Sequence, residues 1–180
     1  MLKNRKILVV EDDEICRHVI CTFLTEAGAI IAAAANAEEG IHFLNKQQFD
    51  LVISDIKLPH KSGIDLLNYS KEKFPDMPVI LVTGYVDLEL AIRALRSGAQ
   101  DYLLKPFTDG NIIVEAIYKA LSRYDLQLKI KALQQKILHH EKFFHLLFTN
   151  ARDALIVYKL KSRTDTTGQI IKINLSLIHI

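Results

Sequence analysis

The sequence contains no apolar run long enough to cross a bilayer, which takes about 18 consecutive residues. Its first apolar run, residues 7–10, is also far shorter than the core of a signal peptide, and acidic residues follow it directly. Glycine (7) and proline (4) are sparse, so a flexible low-complexity linker is not expected. We therefore predict a cytoplasmic protein that does not associate with a membrane.

Cysteine is nearly absent as well, with only Cys16 and Cys21. The two lie in one predicted helix, and no spacing typical of metal ligands is present. A reducing cytoplasm disfavours a disulfide between them. The sequence therefore predicts two reduced thiols that lie in or beside the core.

The net charge of +2 hides an asymmetry between two parts of the chain. Residues 1–106 contain 12 Lys and Arg against 15 Asp and Glu, a net charge of −3, whereas residues 107–180 contain 11 against 6, a net charge of +5. The acidic part is a poor candidate for binding nucleic acid, and no helix-turn-helix pattern follows it. The basic part could contact an anionic partner, but a solvated helix face is the preferred interpretation. We therefore expect no direct binding to nucleic acid.

Strand-length apolar runs alternate with helix-length amphipathic stretches along most of the chain. The pattern predicts strands at residues 5–10, 30–34, 51–54, 78–82 and 101–104. It predicts helices at residues 14–27, 37–46, 63–73 and 87–97, and a further helix from near Thr108. Repeats of strand and helix with continuously apolar strands are typical of a parallel sheet covered on both faces. The expected fold class is α/β, with a doubly wound five-stranded parallel sheet.

Polar side chains follow the predicted strands at the ends where such a sheet binds ligands. They are Glu11, Asp12 and Asp13 after the first strand, Asp55 after the third, Thr83-Gly84 after the fourth and Lys105-Pro106 after the fifth. Carboxylates crowded in a partly desolvated cleft repel one another, so Lys105 and a divalent cation are expected to offset them. Mg²⁺ suits a few carboxylates, waters and phosphate oxygens. Taken singly, these residues could equally be a helix cap, turn residues and a surface lysine.

Such a site is suited to phosphoryl transfer onto a carboxylate. Asp55 is a competent nucleophile and would form an aspartyl phosphate. A metal ion and Lys105 would neutralise phosphoryl oxygens as charge shifts in the transition state. The Thr83 hydroxyl could then donate a hydrogen bond to the attached phosphoryl group, and Gly84 would leave space for it.

Four stretches resemble the receiver domains of two-component response regulators. They are ILVVEDD at residues 7–13, LVISDIKLP at 51–59, LVTGY at 81–85 and GAQDYLLKPF at 98–107. The resemblance covers residues 4–124 and places a receiver domain at 1–124. It implies a flavodoxin-like sheet with strand order 2-1-3-4-5 and a histidine kinase as phosphoryl donor. It also implies a regulatory module that catalyses only its own phosphotransfer and dephosphorylation.

The resemblance further implies which residues hold the metal ion. Asp12 and Asp13 would bind Mg²⁺, Asp13 directly and Asp12 partly through water. Asp55 would be the phosphorylated residue and would also bind the metal. The backbone carbonyl of Lys57 would complete the metal site.

The remaining implied roles concern the bound phosphoryl group and its effect. Thr83 and Lys105 would contact the phosphoryl group. Tyr102 would swing inward when Thr83 moves and carry the switch to the surface. The Lys105-Pro106 peptide bond would be cis, which is plausible because only bonds before proline adopt cis cheaply.

The chain departs from the family pattern after the acceptor residue. The family often has Met-Pro there, and this chain has Leu58-Pro59, followed by His-Lys-Ser-Gly at residues 60–63 in place of a glycine-rich turn. Neither departure affects the expected chemistry. Lys57 and Tyr85 occupy positions where receivers tune the lifetime of the phosphoryl group, so that lifetime is left open.

Helical apolar spacing continues well beyond the expected last helix of a receiver. Apolar residues recur at intervals of 4, 3 and 4 at Leu126, Ile130, Leu133 and Ile137, and Phe144 lies one heptad further on. This is the spacing of a two-stranded coiled coil. The sequence therefore predicts an extended C-terminal helix with a linker at residues 125–143 and a parallel homodimer through residues 125–144. A single helix packed on its own chain is the alternative.

Three later stretches resemble the first third of a PAS sensor domain. They are FHLLF at residues 144–148, ARDALIVY at 151–158 and GQIIKIN at 168–174. The resemblance implies an incomplete PAS-like segment at residues 144–180, which would form a partial α+β tail. By contrast, the His139-His140-Glu141 motif lacks the residues expected after the phospho-accepting histidine of a kinase, so a kinase helix is not favoured.

These patterns favour a response regulator of a phosphorelay, which accepts a phosphoryl group on Asp55 and transmits a conformational switch to a C-terminal output. The alternative is the receiver part of a hybrid sensor histidine kinase, or of another PAS-containing signalling enzyme, whose catalytic domain is missing from this chain. A separate hydrolase is disfavoured because no further general base or substrate-binding cap is recognisable.

Overall fold

The computed structural model describes residues 2–84, 88–107, 109–150, 156–159 and 169–173. The chain divides into two compact units, Met1–Gln127 and Leu128–Ile180, and each is described by itself. Within the described ranges, no helix is both long enough and apolar enough to cross a membrane. The predictions that concern Tyr85, Asp87 and Thr108 lie outside the described residues.

The first unit is a parallel sheet with helices on both faces. Its strands are β1 (Lys6–Val10), β2 (Ile30–Ala34), β3 (Leu51–Asp55), β4 (Val79–Thr83) and β5 (Asp101–Leu104). Its helices are α1 (Glu14–Glu26), α2 (Ala37–Lys46), α3 (Gly63–Lys73) and α4 (Leu88–Arg96), and α5 (Gly110–Asn150) begins in this unit. The strand order is β2-β1-β3-β4-β5, which confirms the predicted α/β class and its 2-1-3-4-5 order. Because the order reverses between β1 and β3, ligands are expected at the carboxyl ends of these two strands.

Alternate residues of each strand fill two separate cores, because successive side chains of a strand point to opposite faces. On β1, Ile7 and Val9 pack into one core with residues of α1 and α5. Leu8 and Val10 pack into the other core with residues of α2 and α3. All four are at most 1% exposed. Burial on both faces explains why the strands are continuous apolar runs and not alternating ones.

Helix α5 changes character along its length. Its first turns are buried in the core, with Ile113 and Ile117 fully covered. An ion-pair group at the amino end of the sheet follows, in which Arg5 contacts both Asp50 and Asp125. From residue 126 to residue 146 every side chain is exposed. The helix extends to Asn150, which confirms the predicted long C-terminal helix.

The second unit contains the remainder of α5 and a two-stranded antiparallel sheet. The strands are β6 (Ile156–Lys159) and β7 (Gln169–Ile173), and their register shifts between Val157 and Tyr158. A helix followed by two paired strands is too common an arrangement to identify a fold. The PAS-like assignment of residues 144–180 therefore stays a prediction, and residues 151–155, 160–168 and 174–180 lie outside the described part of the chain.

Helix α3 begins with a capping box whose loss is expected to lower stability. The backbone N–H of Asp65 donates to Ser62 Oγ at 3.2 Å, and the backbone N–H of Ser62 donates to Asp65 Oδ2 at 2.9 Å. We expect Ser62→Ala to lower the free energy of unfolding by about 1 kcal/mol, measured by urea denaturation. Ser62→Thr keeps the hydroxyl and should retain most of that free energy. An equal loss in both variants would contradict the role of the cap.

The same cap makes part of the stability depend on pH. Hydrogen bonds from the Ser62 side chain and backbone hold the pKa of Asp65 below its ordinary value of 3.8. Ionised Asp65 therefore stabilises the fold above that ordinary value, and this contribution is lost as the pH falls through the lower pKa of the folded state. We expect the stability difference between wild type and Asp65→Asn to shrink from neutral to acid pH.

Candidate functional site

The carboxyl ends of β1, β3, β4 and β5 surround a cleft that contains Asp55. Asp55 is the last residue of β3 and is 8% exposed. The backbone N–H of Lys57 donates to Asp55 Oδ1 at 3.2 Å and so helps to orient the carboxylate. Thr83 is the last residue of β4 and is fully buried. The parallel sheet thus places side chains from distant parts of the sequence at one edge.

Lys105, which follows β5, supplies a positive charge to this cleft. Its Nζ lies 2.8 Å from Asp55 Oδ2 and 2.5 Å from Glu11 Oε2. Burial lowers the pKa of Lys105, but its hydrogen bonds to Asp55 and Glu11 and their negative charges outweigh burial, so the pKa is raised above 10.5. Lys105 therefore stays protonated and pairs with both carboxylates. The Lys105-Pro106 peptide bond is cis, which is the form that the resemblance implies.

Glu11 brings a deeply buried carboxylate to the cleft, with 1% of its surface exposed. Burial raises the pKa of Glu11 above its ordinary value of 4.5, an effect larger than the opposing one of Lys105. Its Oε2 pairs with Lys105, while its Oε1 has no N–H or O–H donor among the described residues, and the Cys16 thiol supplies only a weak hydrogen bond to this carboxylate. A buried carboxylate oxygen without a donor costs free energy, and a cation in the cleft would recover that cost.

The cleft carries the donor set of a hard divalent cation. Carboxylate oxygens of Glu11, Asp12 and Asp55 all lie within 4.8 Å of one another. Three oxygen donors around one point, one of them with an orphaned buried oxygen, fit Mg²⁺. Arg17 Nη1 donates to the backbone carbonyls of Glu11 at 2.7 Å and Asp12 at 3.2 Å, which anchors this loop to α1.

Asp13 does not belong to this group of carboxylates. Its Oδ1 accepts a hydrogen bond from the backbone N–H of Cys16 at 2.7 Å and caps the N-terminus of α1. The structure thus places Asp12 beside Glu11 and Asp55 and uses Asp13 as a helix cap, while a direct bond from Asp13 to a metal ion stays a prediction. A signal was present in the sequence, because Glu11 directly follows the buried strand, whereas Asp13 has the spacing of a helix cap.

The residues expected to act as a switch lie on neighbouring strands. The backbone N–H of Lys105 donates to the Thr83 carbonyl at 2.7 Å and links β4 to the end of β5. Tyr102 lies on β5, is half-buried and packs against the core under α2 and α3. A Cβ added to Gly84 would meet no described atom within 4 Å, so the described residues leave space at this position.

The two cysteines offer no competing nucleophile. Cys16 and Cys21 are free and half-buried. Burial raises the pKa of Cys16 to about 11, so its thiol is protonated at neutral pH. Asp55 is therefore the candidate nucleophile of the cleft, and its pairing with the Lys105 ammonium suits attack on a phosphoryl group.

Comparisons with known proteins agree with this fold. The family described as response regulator receiver domain matches residues 7–117. The DNA-binding transcriptional regulator NtrC of Proteus hauseri is 36% identical over 123 residues, which are 68% of this chain and 26% of NtrC. This chain thus spans about a quarter of the length of that relative.

Two solved structures are similar to this chain in both sequence and fold. The response regulator receiver domain protein from Clostridium thermocellum is 35% identical with a TM-score of 0.65, and the match covers 68% of this chain and 98% of that one. NtrX from Brucella abortus is 29% identical with a TM-score of 0.69, and the match covers 72% of this chain and 29% of that one. The similarity to the first structure therefore extends over nearly that whole protein.

Proposed function

Since this chain belongs to the response regulator receiver family, we propose that Asp55 accepts a phosphoryl group from a histidine kinase in the cytoplasm and that the resulting change controls a C-terminal output. The contact of Asp55 Oδ2 with Lys105 Nζ at 2.8 Å, beside the carboxylates of Glu11 and Asp12, carries this proposal. We expect a small phosphodonor and Mg²⁺ to add one phosphoryl group to the full chain, measured as intact mass. An unchanged mass would contradict the proposal.

The proposed transfer exchanges one bond to phosphorus for another. A carboxylate oxygen of Asp55 attacks the phosphorus of the donor phosphohistidine, a P–O bond forms, and the P–N bond breaks with its electron pair leaving on the imidazole. The ammonium of Lys105 neutralises charge on the transferred oxygens while Glu11 stays close to it. The Thr83 hydroxyl donates a hydrogen bond to the attached phosphoryl group. The chain thus acts as a regulatory module that modifies only itself.

Receiver domains generally bind Mg²⁺ at an acidic pocket, and Glu11, Asp12 and Asp55 would hold it in this chain. The backbone carbonyl of Lys57 is proposed as a further ligand on the basis of the family resemblance. When bound, Mg²⁺ supplies positive charge to the phosphoryl oxygens. The unpartnered Oε1 of buried Glu11 supports this assignment.

We expect Asp12→Asn to weaken Mg²⁺ binding by about tenfold or more, because it removes a charged oxygen from the group of three carboxylates. Asp13→Asn is the matched control, because asparagine caps a helix as well as aspartate does, and it should leave the affinity close to wild type. Isothermal titration calorimetry of the full chain measures both. Loss of binding in both variants would instead support the pair predicted from the sequence, Asp12 and Asp13.

The proposed switch runs from Thr83 to Tyr102. A phosphoryl group on Asp55 would draw the Thr83 hydroxyl toward it and free space beside β5, into which Tyr102 moves. The half-buried position of Tyr102 and the direct link between the two strands support this path. The change would then reach the exposed face of β5 and the start of α5.

The proposed output lies beyond the receiver, along α5. NtrC is by name a DNA-binding transcriptional regulator, but the family match ends at residue 117, so the likeness to NtrC does not define the output of this chain. We propose that residues 144–180 begin a PAS-like segment, as their sequence resembles one. The alternative is that this chain is the receiver part of a hybrid sensor histidine kinase or of another PAS-containing signalling enzyme.

We also propose that two copies pair through residues 125–144 of α5. Apolar side chains at coiled-coil spacing are between 46% and 61% exposed along this stretch, at Leu126, Ile130, Leu133, Ile137 and Phe144. A continuous exposed apolar stripe marks a contact surface. A second copy of the same helix would cover it with matching spacing.

A further inference from the structure

The apolar stripe of α5 contains one polar position. Written as heptads, the stripe has Ile130, Ile137 and Phe144 at position a and Leu126 and Leu133 at position d. The d position between Ile137 and Phe144 is occupied by His140. His140 therefore lies on the contact face, whereas its neighbour His139 is at position c on the outer side.

The residue types of the stripe favour a parallel pair of helices. Isoleucine at a with leucine at d favours two parallel strands over trimers and tetramers. The heptad at residues 130–136 follows this rule with Ile130 at a and Leu133 at d, and Leu126 and Ile137 extend the pattern by one position on each side. The apolar residues before His140 therefore favour a two-stranded parallel pair. His140, as the polar residue of the stripe, can determine how the two helices align.

The surface around His140 is a shallow concave patch. It is lined by Ile137, His140, Glu141, Phe144 and His145. Ile137 is at position a, His140 at d, Glu141 at e, and Phe144 at a of the next heptad. In a parallel pair these four positions form the hole that receives a d side chain. The side chain that would enter this hole is His140 of a second copy.

The charges beside His140 also distinguish the two orientations. In a parallel pair, position g faces position e of the following heptad, so Lys136 would face Glu141 of the second copy on both sides of the seam. In an antiparallel pair, g faces g, and Lys129 would lie against Lys136 of the second copy. Within the described residues neither Lys136 nor Glu141 has an ion-pair partner. Opposite charges therefore favour the parallel arrangement.

We propose that two copies of α5 pair in parallel and in register along residues 126–144, that His140 faces His140 across the seam, and that this layer makes pairing sensitive to protons. The inference rests on the dimer of the proposed function and specifies its orientation and register. It assigns His140, Lys136 and Glu141 as the residues that determine both.

The sign of the pH effect follows from the charges that face this layer. Histidine changes its charge between about pH 5 and 8. The two Lys136 and two Glu141 charges cancel, so protonation of both His140 side chains adds two positive charges to a partly desolvated seam. In the pair, Glu141 of the second copy would attract each imidazolium, but Lys136 and the other His140 would repel it. The dimer is therefore expected to weaken as the pH falls.

Disulfide crosslinking of the full chain tests orientation and register. Leu126→Cys and Phe144→Cys lie at opposite ends of the stripe, about 27 Å apart at 1.5 Å per residue. We expect each variant to crosslink with itself under mild oxidation and a mixture of the two to form no mixed crosslink. Leu128→Cys, which faces away from the stripe, is the control and should not crosslink. Mixed crosslinks, or equal crosslinking of Leu128→Cys, would overturn the pairing.

Sedimentation at two pH values tests the histidine layer. We expect the dissociation constant of the wild-type dimer to rise about tenfold or more from neutral pH to about pH 5.5. His140→Leu should remove this pH dependence and tighten the dimer, while the matched control His139→Leu should keep it. A pH dependence that persists in His140→Leu, or that disappears in His139→Leu, would overturn the assignment.

A chain that remains monomeric at every concentration and pH would overturn the pairing itself. The stripe would then be covered by its own chain or by a different protein. This outcome is separable from a failure of the receiver function, because phosphorylation of Asp55 is measured as intact mass and does not require the stripe.

Discussion

The Asp55→Asn variant is expected to gain no phosphoryl group under conditions in which the wild-type chain gains one. Asparagine has almost the same shape as aspartate but lacks the charged nucleophilic oxygen. The variant should still fold, because Lys105 retains Glu11 as a partner at 2.5 Å after Asp55 is neutralised. Treatment with a small phosphodonor and Mg²⁺, followed by intact mass, measures the difference.

Asp101→Asn provides the matched control for this experiment. Asp101 is the first residue of β5, at the opposite end of the sheet from the cleft, and its Oδ1 accepts a hydrogen bond from the Tyr102 backbone N–H at 2.8 Å. This variant should be phosphorylated like wild type. A persistent modification of Asp55→Asn would contradict the assignment of the acceptor.

Gly63→Ala is expected to destabilise the first unit strongly. A Cβ at Gly63 would lie 2.0 Å from the backbone oxygen of Asp55 and 2.9 Å from its carbonyl carbon. Both are backbone atoms, so no rotamer change relieves the clash. The loop cannot simply move away, because the Gly63 N–H donates to the Ile56 carbonyl at 2.9 Å. Overpacking typically costs about 1–3 kcal/mol, and we expect urea unfolding to show the upper end of that range or more.

The same substitution should also impair phosphorylation, because the displaced atoms belong to the acceptor residue. Gly84→Ala is the control, since a Cβ there would meet no described atom within 4 Å. Its free energy of unfolding should stay within about 0.5 kcal/mol of wild type. Wild-type stability in Gly63→Ala would show that α3 does not pack against the end of β3 as closely as the structure indicates.

The elements of the receiver could be predicted well from local patterns. The predicted helix at 63–73 has the bounds of α3, and the predicted strand at 5–10 differs from β1 by one residue. These predictions depend on the spacing of apolar residues and on residues that end helices. Both can be recognised from neighbouring positions in the sequence. The order of the strands followed from the family resemblance and from the few topologies that right-handed crossovers allow.

The candidate site was predicted less completely, because the sequence does not show which side chains come close together in the folded chain. Sequence reasoning placed Asp12 and Asp13 together, whereas the structure groups Asp12 with Glu11 and uses Asp13 as a helix cap. Glu11, Asp12 and Asp13 are adjacent and all acidic, so the sequence alone does not separate their roles. The fold does, because β1 leads Glu11 and Asp12 into the cleft, whereas Asp13 precedes the first residue of α1.

The sequence by itself determined the elements of the receiver, the parallel α/β class, the candidate acceptor Asp55 and the coiled-coil spacing of α5, because each depends on residue type and on spacing along the chain. Only the tertiary structure decided that Lys105 pairs with Glu11 as well as with Asp55, that Glu11 keeps an unpartnered buried oxygen, and that Gly63 contacts the Asp55 backbone. These contacts join residues on different elements, and their geometry depends on how the sheet brings the strand ends together.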